Sequence, residues 1–424
     1  MTRESYKETE LGIYPDEWEM LLTEDLLINE KGAMKIGPFG SQLKKEYLVD
    51  SGFKVYGQES VFYNDYSIGN RFINEERYLQ LKSCELLPGD LVITMMGTIG
   101  KTAIVPDNIE AGIMDSHLIR LKIDKSKCNA EFIRHSLTSN MVVKQIKKLS
   151  VGGIMAGLSS AIIKKLQFVV PPLLEQQYIA EILNKTEEHI NRIGKTIEDY
   201  HLLKKGMMKK LFTEGIGHTE FKETEIGRIP KTWEVRELSD ISEIITGNTP
   251  KTSDRENYGN EYIWVSPADL GRKKYVCMTT KMLSKKGFLK TRQLPKGAIL
   301  VTCIGSTIGK IGILNDTGST NQQINSMICK EGVYNEYVYY ALDFNFEKYT
   351  AYISTQAVPI INKTVFSKFK LPIPIYCEQK HIAEVLAELD NRIDLFQQQR
   401  EDFIQLKKAL MEQLLTGKIR VPLS

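Results

Sequence analysis

Residues 93 to 105, ITMMGTIGKTAIV, place glycines, a lysine and a threonine almost as a phosphate-gripping loop would. Such a loop, G-x-x-x-x-G-K-[ST], wraps backbone N–H groups around a phosphate and offers a hydroxyl to Mg²⁺. Its first glycine belongs at position 95, where Met95 stands. A second copy, VTCIGSTIGKIGIL at 301 to 314, puts Ile311 where the hydroxyl is needed. The first copy lacks the first glycine and the second lacks the hydroxyl, so an NTPase is disfavoured. Gly97, Gly100, Gly305 and Gly309 instead suit positive φ in tight strand-to-strand turns.

Other chemistry is missing too. There is no H-E-x-x-H, G-x-G-x-x-G or G-x-S-x-G, and the six histidines form no close cluster in sequence. Pro171-Pro172 is followed by Leu173, not by the aromatic with which an amino-methyltransferase stacks a flipped base. Pro106-Asp107 has no E-x-K or D-x-K in the next thirty residues, so a nuclease carboxylate pair is not evident. Cys84, Cys128, Cys277, Cys303, Cys329 and Cys377 include no C-x-x-C and read as free thiols rather than a zinc site or disulfide framework. No metal site and no active site are expected.

The 424 residues suffice for two to four domains, and 42% hydrophobic with 26% charged residues is a soluble globular composition. A net charge of +3 argues against coating nucleic acid by bulk charge but leaves room for local basic patches. No apolar run approaches the ~20 residues that span a bilayer, and MTRESYKETELG has no apolar signal core, so a cytoplasmic protein is expected.

An internal repeat sets the architecture. TELGIYPDEWEM (9 to 20) returns as TEIGRIPKTWEV (224 to 235), and FVVPPLLEQQYIAEIL (168 to 183) as LPIPIYCEQKHIAEVL (371 to 386). The glycine turn and KKLFTEGI (209 to 216), matched by EQLLTGKI (412 to 419), complete the series in the same order. Each half reads as a β-rich unit followed by a helix that starts after prolines. In the first helix Ile179, Leu183, Thr186, Ile190, Ile193, Ile197, Tyr200, Lys204, Met207 and Leu211 alternate steps of four and three. Ile382, Leu386, Leu389, Ile393, Phe396, Arg400, Phe403, Lys407, Leu410 and Leu414 do the same in the second. This is a coiled-coil seam. The expected fold is α+β: two α/β domains separated by two long helices packed as an antiparallel coiled coil, with an internal pseudo-two-fold repeat. A rod of about 60 Å limits what the two heads can span.

A two-headed rod without a catalytic set suits recognition of a polyanion at spaced sites. KIGPFGSQLKKEYL (35 to 48) gathers Lys35, Ser41, Gln42, Lys44 and Lys45 about Gly37, Pro38 and Gly40. The second half offers Thr249, Lys251 and Thr252, then Arg272 and Lys273, then Asn321, Gln322 and Gln323. Lysines hold phosphates, and Asn, Gln and Ser reach base edges.

The quoted repeats, GTIGK and STIGK, and the terminal LLTGKIRV resemble the specificity subunit of type I restriction-modification enzymes along nearly the whole chain. The resemblance implies target recognition domains at 1–172 and 218–375, each reading half of a split DNA sequence, and conserved spacer helices at 173–217 and 376–424. It implies a non-catalytic subunit with no cofactor of its own. S-adenosylmethionine would sit on two methyltransferase (M) subunits, and ATP and Mg on motor-nuclease (R) subunits. It puts Lys101 and Lys310 at phosphates, although a solvated hairpin tip suits either lysine equally. KLSVGGIMAGLSS, with Gly152 and Gly153, and YISTQAVPIINKT, with Thr355 and Gln356, resemble the family's last loop near DNA. The alternative is a coiled-coil scaffold whose heads bind protein.

Overall fold

The computed structural model describes residues 5–95, 100–150, 158–271, 273–349 and 359–421. The chain divides into two compact units, residues 1–194 with 398–424, and residues 195–397. Each unit therefore holds one head and a part of each long helix.

In the first unit, strands Met34–Ile36, Leu118–Leu121, Leu91–Thr94 and Thr102–Ile104 form an antiparallel sheet in that order. Their β-branched and leucine side chains are buried in the runs Leu91–Thr94 and Leu118–Leu121, which pleated strands with both faces covered require. A second sheet sets Gly112–Met114 parallel to Phe53–Tyr56. The second unit repeats the plan with Ser242–Thr246, Ile324–Cys329, Ile299–Thr302 and Ile311–Leu314, and with Gly318–Thr320 parallel to Tyr262–Val265. Gly100, Gly305 and Gly309 have φ of +77°, +98° and +92° in the hairpin turns, as the sequence predicts; Gly97 lies outside the described residues.

The helix Leu173–Thr213 begins directly after Pro172, and the helix Tyr376–Leu414 one residue after Pro374. Gln176 fixes the first start: its Nε2 donates to Pro171 O at 2.8 Å and Lys127 O at 3.1 Å, and its Oε1 accepts from Asn129 N at 2.7 Å. Gln379 makes the same three bonds, to Pro374 O, Gly332 O and Tyr334 N, at 2.9, 3.2 and 2.8 Å. Both amides are buried, where unpaired polar groups would each cost about 1–3 kcal/mol.

Within the first unit the two helix segments run antiparallel. Lys407 meets Glu187 at 3.2 Å, the His189 and Phe403 rings stack at 5.3 Å, and Ile179, Leu183 and Leu414 share the core with Trp18, Phe132 and Phe168. Ile190 is buried there and Ile193, Phe403 and Leu410 are half-buried, while Arg400 is exposed. Within the second unit Lys204 meets Asp390 at 2.5 Å and Tyr200 lies 5.3 Å from Phe396. Leu211, Ile382 and Leu386 enter its core with Met208, Phe212 and Trp233, with Met207 and Leu389 packed against it. Ile393 is buried, and Ile197 and Phe396 are half-buried. Lysines at seam positions are tolerated because each finds an acid one residue past the seam of the opposing helix. Among the described residues no helix is long and apolar enough to cross a membrane.

Candidate nucleic-acid interface

Each head has a polar turn between its parallel-sheet strand and its central strand. In the first, Asp115-Ser116-His117 joins Gly112–Met114 to Leu118–Leu121; in the second, Asn321-Gln322-Gln323 joins Gly318–Thr320 to Ile324–Cys329. The backbone holds both alike. Met95 N donates to His117 O and Cys303 N to Gln323 O, each at 2.8 Å. Gly37 N donates to Leu118 O and Gly247 N to Ile324 O, each at 3.1 Å. Only glycine fits at these approaches: a Cβ on Gly37 would lie 1.9 Å from Asp115 O, and one on Gly247 2.3 Å from Asn321 O.

The first side chain of each turn is spent internally. Asp115 Oδ1 accepts from His117 N at 2.9 Å and its Oδ2 from Arg71 at 2.9 Å. Asn321 Oδ1 accepts from Gln323 N at 3.1 Å while its Nδ2 donates to Gln323 Oε1 at 3.0 Å. Asn321, named among the candidate contacts, is thus a buried brace. Gln322 is exposed, and its Oε1 accepts from Thr249 Oγ1 at 2.5 Å, so the structure unites two predicted segments 73 residues apart.

Beside the first turn, the loop after Gly37 exposes Phe39, Ser41, Gln42, Lys44 and Lys45. Arg77 lies 4.1 Å over the Tyr47 ring and donates to the carbonyls of Ser41 and Gln42, which fixes that loop's backbone and leaves its side chains outward. Lys44 pairs with Glu46 at 3.3 Å, and Lys35 is half-buried on the edge strand. Lys251, Thr252 and Lys273 are exposed. Lys101 stands instead at a polar cleft of about 520 Å³ with Tyr63, Arg134, Asn184 and Glu187, and Lys310 packs its stem over Gly271. Gly152, Gly153, Arg272, Thr355 and Gln356 lie outside the described residues.

Sequence reasoning missed two sets. The helix Asn140–Leu149 exposes Lys144, Lys147 and Lys148, a local basic patch whose signal in the sequence is the Lys147-Lys148 pair. The other is the brace at each helix start. Trp18 Nε1 donates to buried Glu175 at 3.2 Å and Trp233 Nε1 to Glu378 at 3.0 Å. Glu175 is closed by Arg420 at 2.7 and 2.8 Å, and Glu378 by His218 at 2.9 Å and Ile216 N at 3.0 Å. Each head is completed by the tail that follows the other head's helix. Among the described residues no group of three His, Cys, Asp or Glu is placed to hold a metal.

The model of the type I restriction modification DNA specificity domain matches residues 16–199 and 230–405. Two type I restriction enzyme specificity subunits of Methanocaldococcus jannaschii align along the chain. MjaX is 30% identical over 99% of this chain and 97% of its own, and MjaVIII 29% over 99% and 96%. The solved S subunit of a type I restriction-modification system from M. genitalium has the same fold, with a TM-score of 0.58 at 15% identity, covering 96% of this chain and 97% of that one. With one domain match on each repeat and relatives aligned from end to end, the chain belongs to the type I restriction-modification DNA specificity subunits.

Proposed function

We propose that this chain reads a DNA target split into two halves, one per head, and presents it to methyltransferase subunits docked along its paired helices. It performs no catalysis itself; the methyltransferase subunits bring S-adenosylmethionine, and motor-nuclease subunits bring ATP and Mg. The domains are 1–172 and 218–375, and the helices 173–217 and 376–424 form an antiparallel coiled coil that sets the gap between half-sites. The observation that carries this reading is the doubled brace: Trp18–Glu175–Arg420 and Trp233–Glu378–His218 make two heads of one design, each closed by the tail from the other repeat. Two equivalent heads with different polar turns suit two different half-sites. The exposed lysines at 44, 45, 144, 147 and 148 supply phosphate contacts, and methyltransferase subunits clamped around the DNA would add more.

The test is to express the full chain with its methyltransferase in a methylation-free host and map modified adenines. A bipartite motif with half-site centres no more than two DNA turns apart is expected, since helices of about 60 Å reach no further than about 18 base pairs. An unsplit motif, a wider gap, or methylation without any motif would remove the reading. Capture of a protein by the isolated heads in place of DNA would favour the scaffold.

A further inference from the structure

The turns at 115–117 and 321–323 are one structural part carrying two chemistries. Both rest on the same backbone bonds to the central hairpin strand and the same glycine contact, and both spend their first side chain on bracing the third residue. What differs is what they offer to solvent: Ser116 and His117 in one head, and Gln322 alone in the other, where the Gln323 amide is held by Asn321 and by Ile304 O. A constant support that carries different exposed side chains suits two readers of different bases. We propose that these two turns are the base-reading tips of the heads, presenting Ser116 and His117 in the first and Gln322 in the second to base-pair edges in the major groove. The proposal rests on the DNA-reading function above and names the part that does the reading.

The chemistry can be followed furthest at Gln322. A glutamine amide has a carbonyl acceptor and two N–H donors. Thr249 Oγ1 donates to that carbonyl at 2.5 Å, which fixes the amide plane and turns the NH₂ group toward solvent. The tip then selects a base edge rich in acceptors, such as guanine O6 and N7 or thymine O4, over the amino group of cytosine. In the first head Ser116 is short and carries a hydroxyl that both donates and accepts. His117 is half-exposed and stands over Asp115, with Nδ1 3.4 Å from Oδ1. The two tips therefore call for different bases. The surroundings fit the assignment: Lys44 and Lys45 flank the first turn through the loop that starts at Gly37, and Lys251 and Thr252 flank the second through the loop that carries Thr249. These place backbone contacts beside base contacts.

The experiment compares the full chain with its methyltransferase, wild type against Ser116→Gln/His117→Gln and, separately, Gln322→Ala, by mapping modified adenines and by selection from a randomised duplex library. The double variant should change one or two adjacent base pairs of the first half-site and leave the second half-site and the gap untouched. Gln322→Ala should relax one position of the second half-site only, with discrimination there falling roughly 5- to 150-fold, the range for one lost base contact. Thr249→Val, which frees the amide, should broaden the same position. Gln322 is exposed, so its alanine variant keeps the fold and decides the matter even if the double variant fails to assemble. An unchanged motif in Gln322→Ala, or relaxation of both half-sites together, overturns the assignment of the turns. A wild-type complex with no split motif overturns instead the reading on which it rests.

Discussion

Glu175 is a carboxylate with no access to solvent, and its two oxygens are satisfied by an indole N–H and a guanidinium. Removing one partner of a buried pair leaves a charge that nothing hydrates, which typically costs about 3–5 kcal/mol. Arg420→Met should therefore lower the stability of the first unit by about that amount, measured by urea unfolding with Trp18 as probe in a Trp233→Phe/Trp264→Phe background. Adding Glu175→Gln should restore most of the loss, because an amide needs no counter-charge; a double variant as unstable as the single would show that Arg420 acts by packing alone. The sequence displays half of this arrangement. Trp18 and Trp233, and Glu175 and Glu378, recur at matched places in the repeats. The partner is hidden because the two tails solve the problem differently: Arg420 closes one brace, and His218 with a backbone N–H closes the other. Of the two turns, Asn321-Gln322-Gln323 was legible as a polar run, whereas Asp115-Ser116-His117 shares no residue with it and is equated with it by its backbone bonds.

The long helices were legible as elements, because a four-three apolar alternation over some forty residues has few other meanings. Lys204 and Lys407 read only as interruptions of that seam. Their acids, Asp390 and Glu187, sit one place beyond it, where a heptad assigns no contact. Around Glu187 the first unit buries a titratable cluster. Arg134 bonds Glu187 at 2.7 Å and Asn184 at 2.8 Å, and His135 Nε2 bonds Asn184 at 2.7 Å. Burial, and then the charge of Arg134, pushes the His135 imidazole from 6.5 down to about 3. Burial alone would raise Glu187, but the bond and charge of Arg134, with Lys407, outweigh it and bring the carboxyl from 4.5 down to about 2. Both groups bind protons more readily when unfolded, so stability is full above about pH 6.5 and falls with acid: His135 acts between about 6.5 and 3, Glu187 between about 4.5 and 2. Unfolding followed through Trp18 in the same Trp233→Phe/Trp264→Phe background should weaken from pH 6.5 to 5 with a slope of up to about 1.4 kcal/mol per pH unit for the one proton involved. In His135→Gln that slope should vanish, and below 4.5 only the one-proton loss from Glu187 should persist. A slope unchanged by the substitution would assign the effect elsewhere.

At the scale of the whole molecule, duplication predicts modularity. Replacing residues 1–172 with the matching domain of a relative should alter one half-site and spare the other; a change in both would contradict independent heads. It also predicts that half the chain finds a substitute for the rest. If a fragment ending after His218 pairs with a second copy in the register seen within each unit, Lys204 meets the second copy's Glu187, and its Ile216 N–H and His218 reach the place of Arg420. Such a fragment should be a dimer by light scattering at tens of micromolar, and with methyltransferase should select an interrupted palindrome. A stable monomer, or an asymmetric motif from a confirmed dimer, would refute this. The position of Arg420, 245 residues beyond Glu175, has one more consequence, and it concerns time. A ribosome adding about 5–20 residues per second delivers the closing arginine roughly 12–50 s after the carboxylate it serves. For that interval the first head is made but not finished, and the nearest stand-in is the His218 tail of another nascent chain on the same message. A subunit whose synthesis stops a few residues early therefore forfeits the head that was translated first, while the head translated last, closed by His218 and Ile216 from upstream, stands complete.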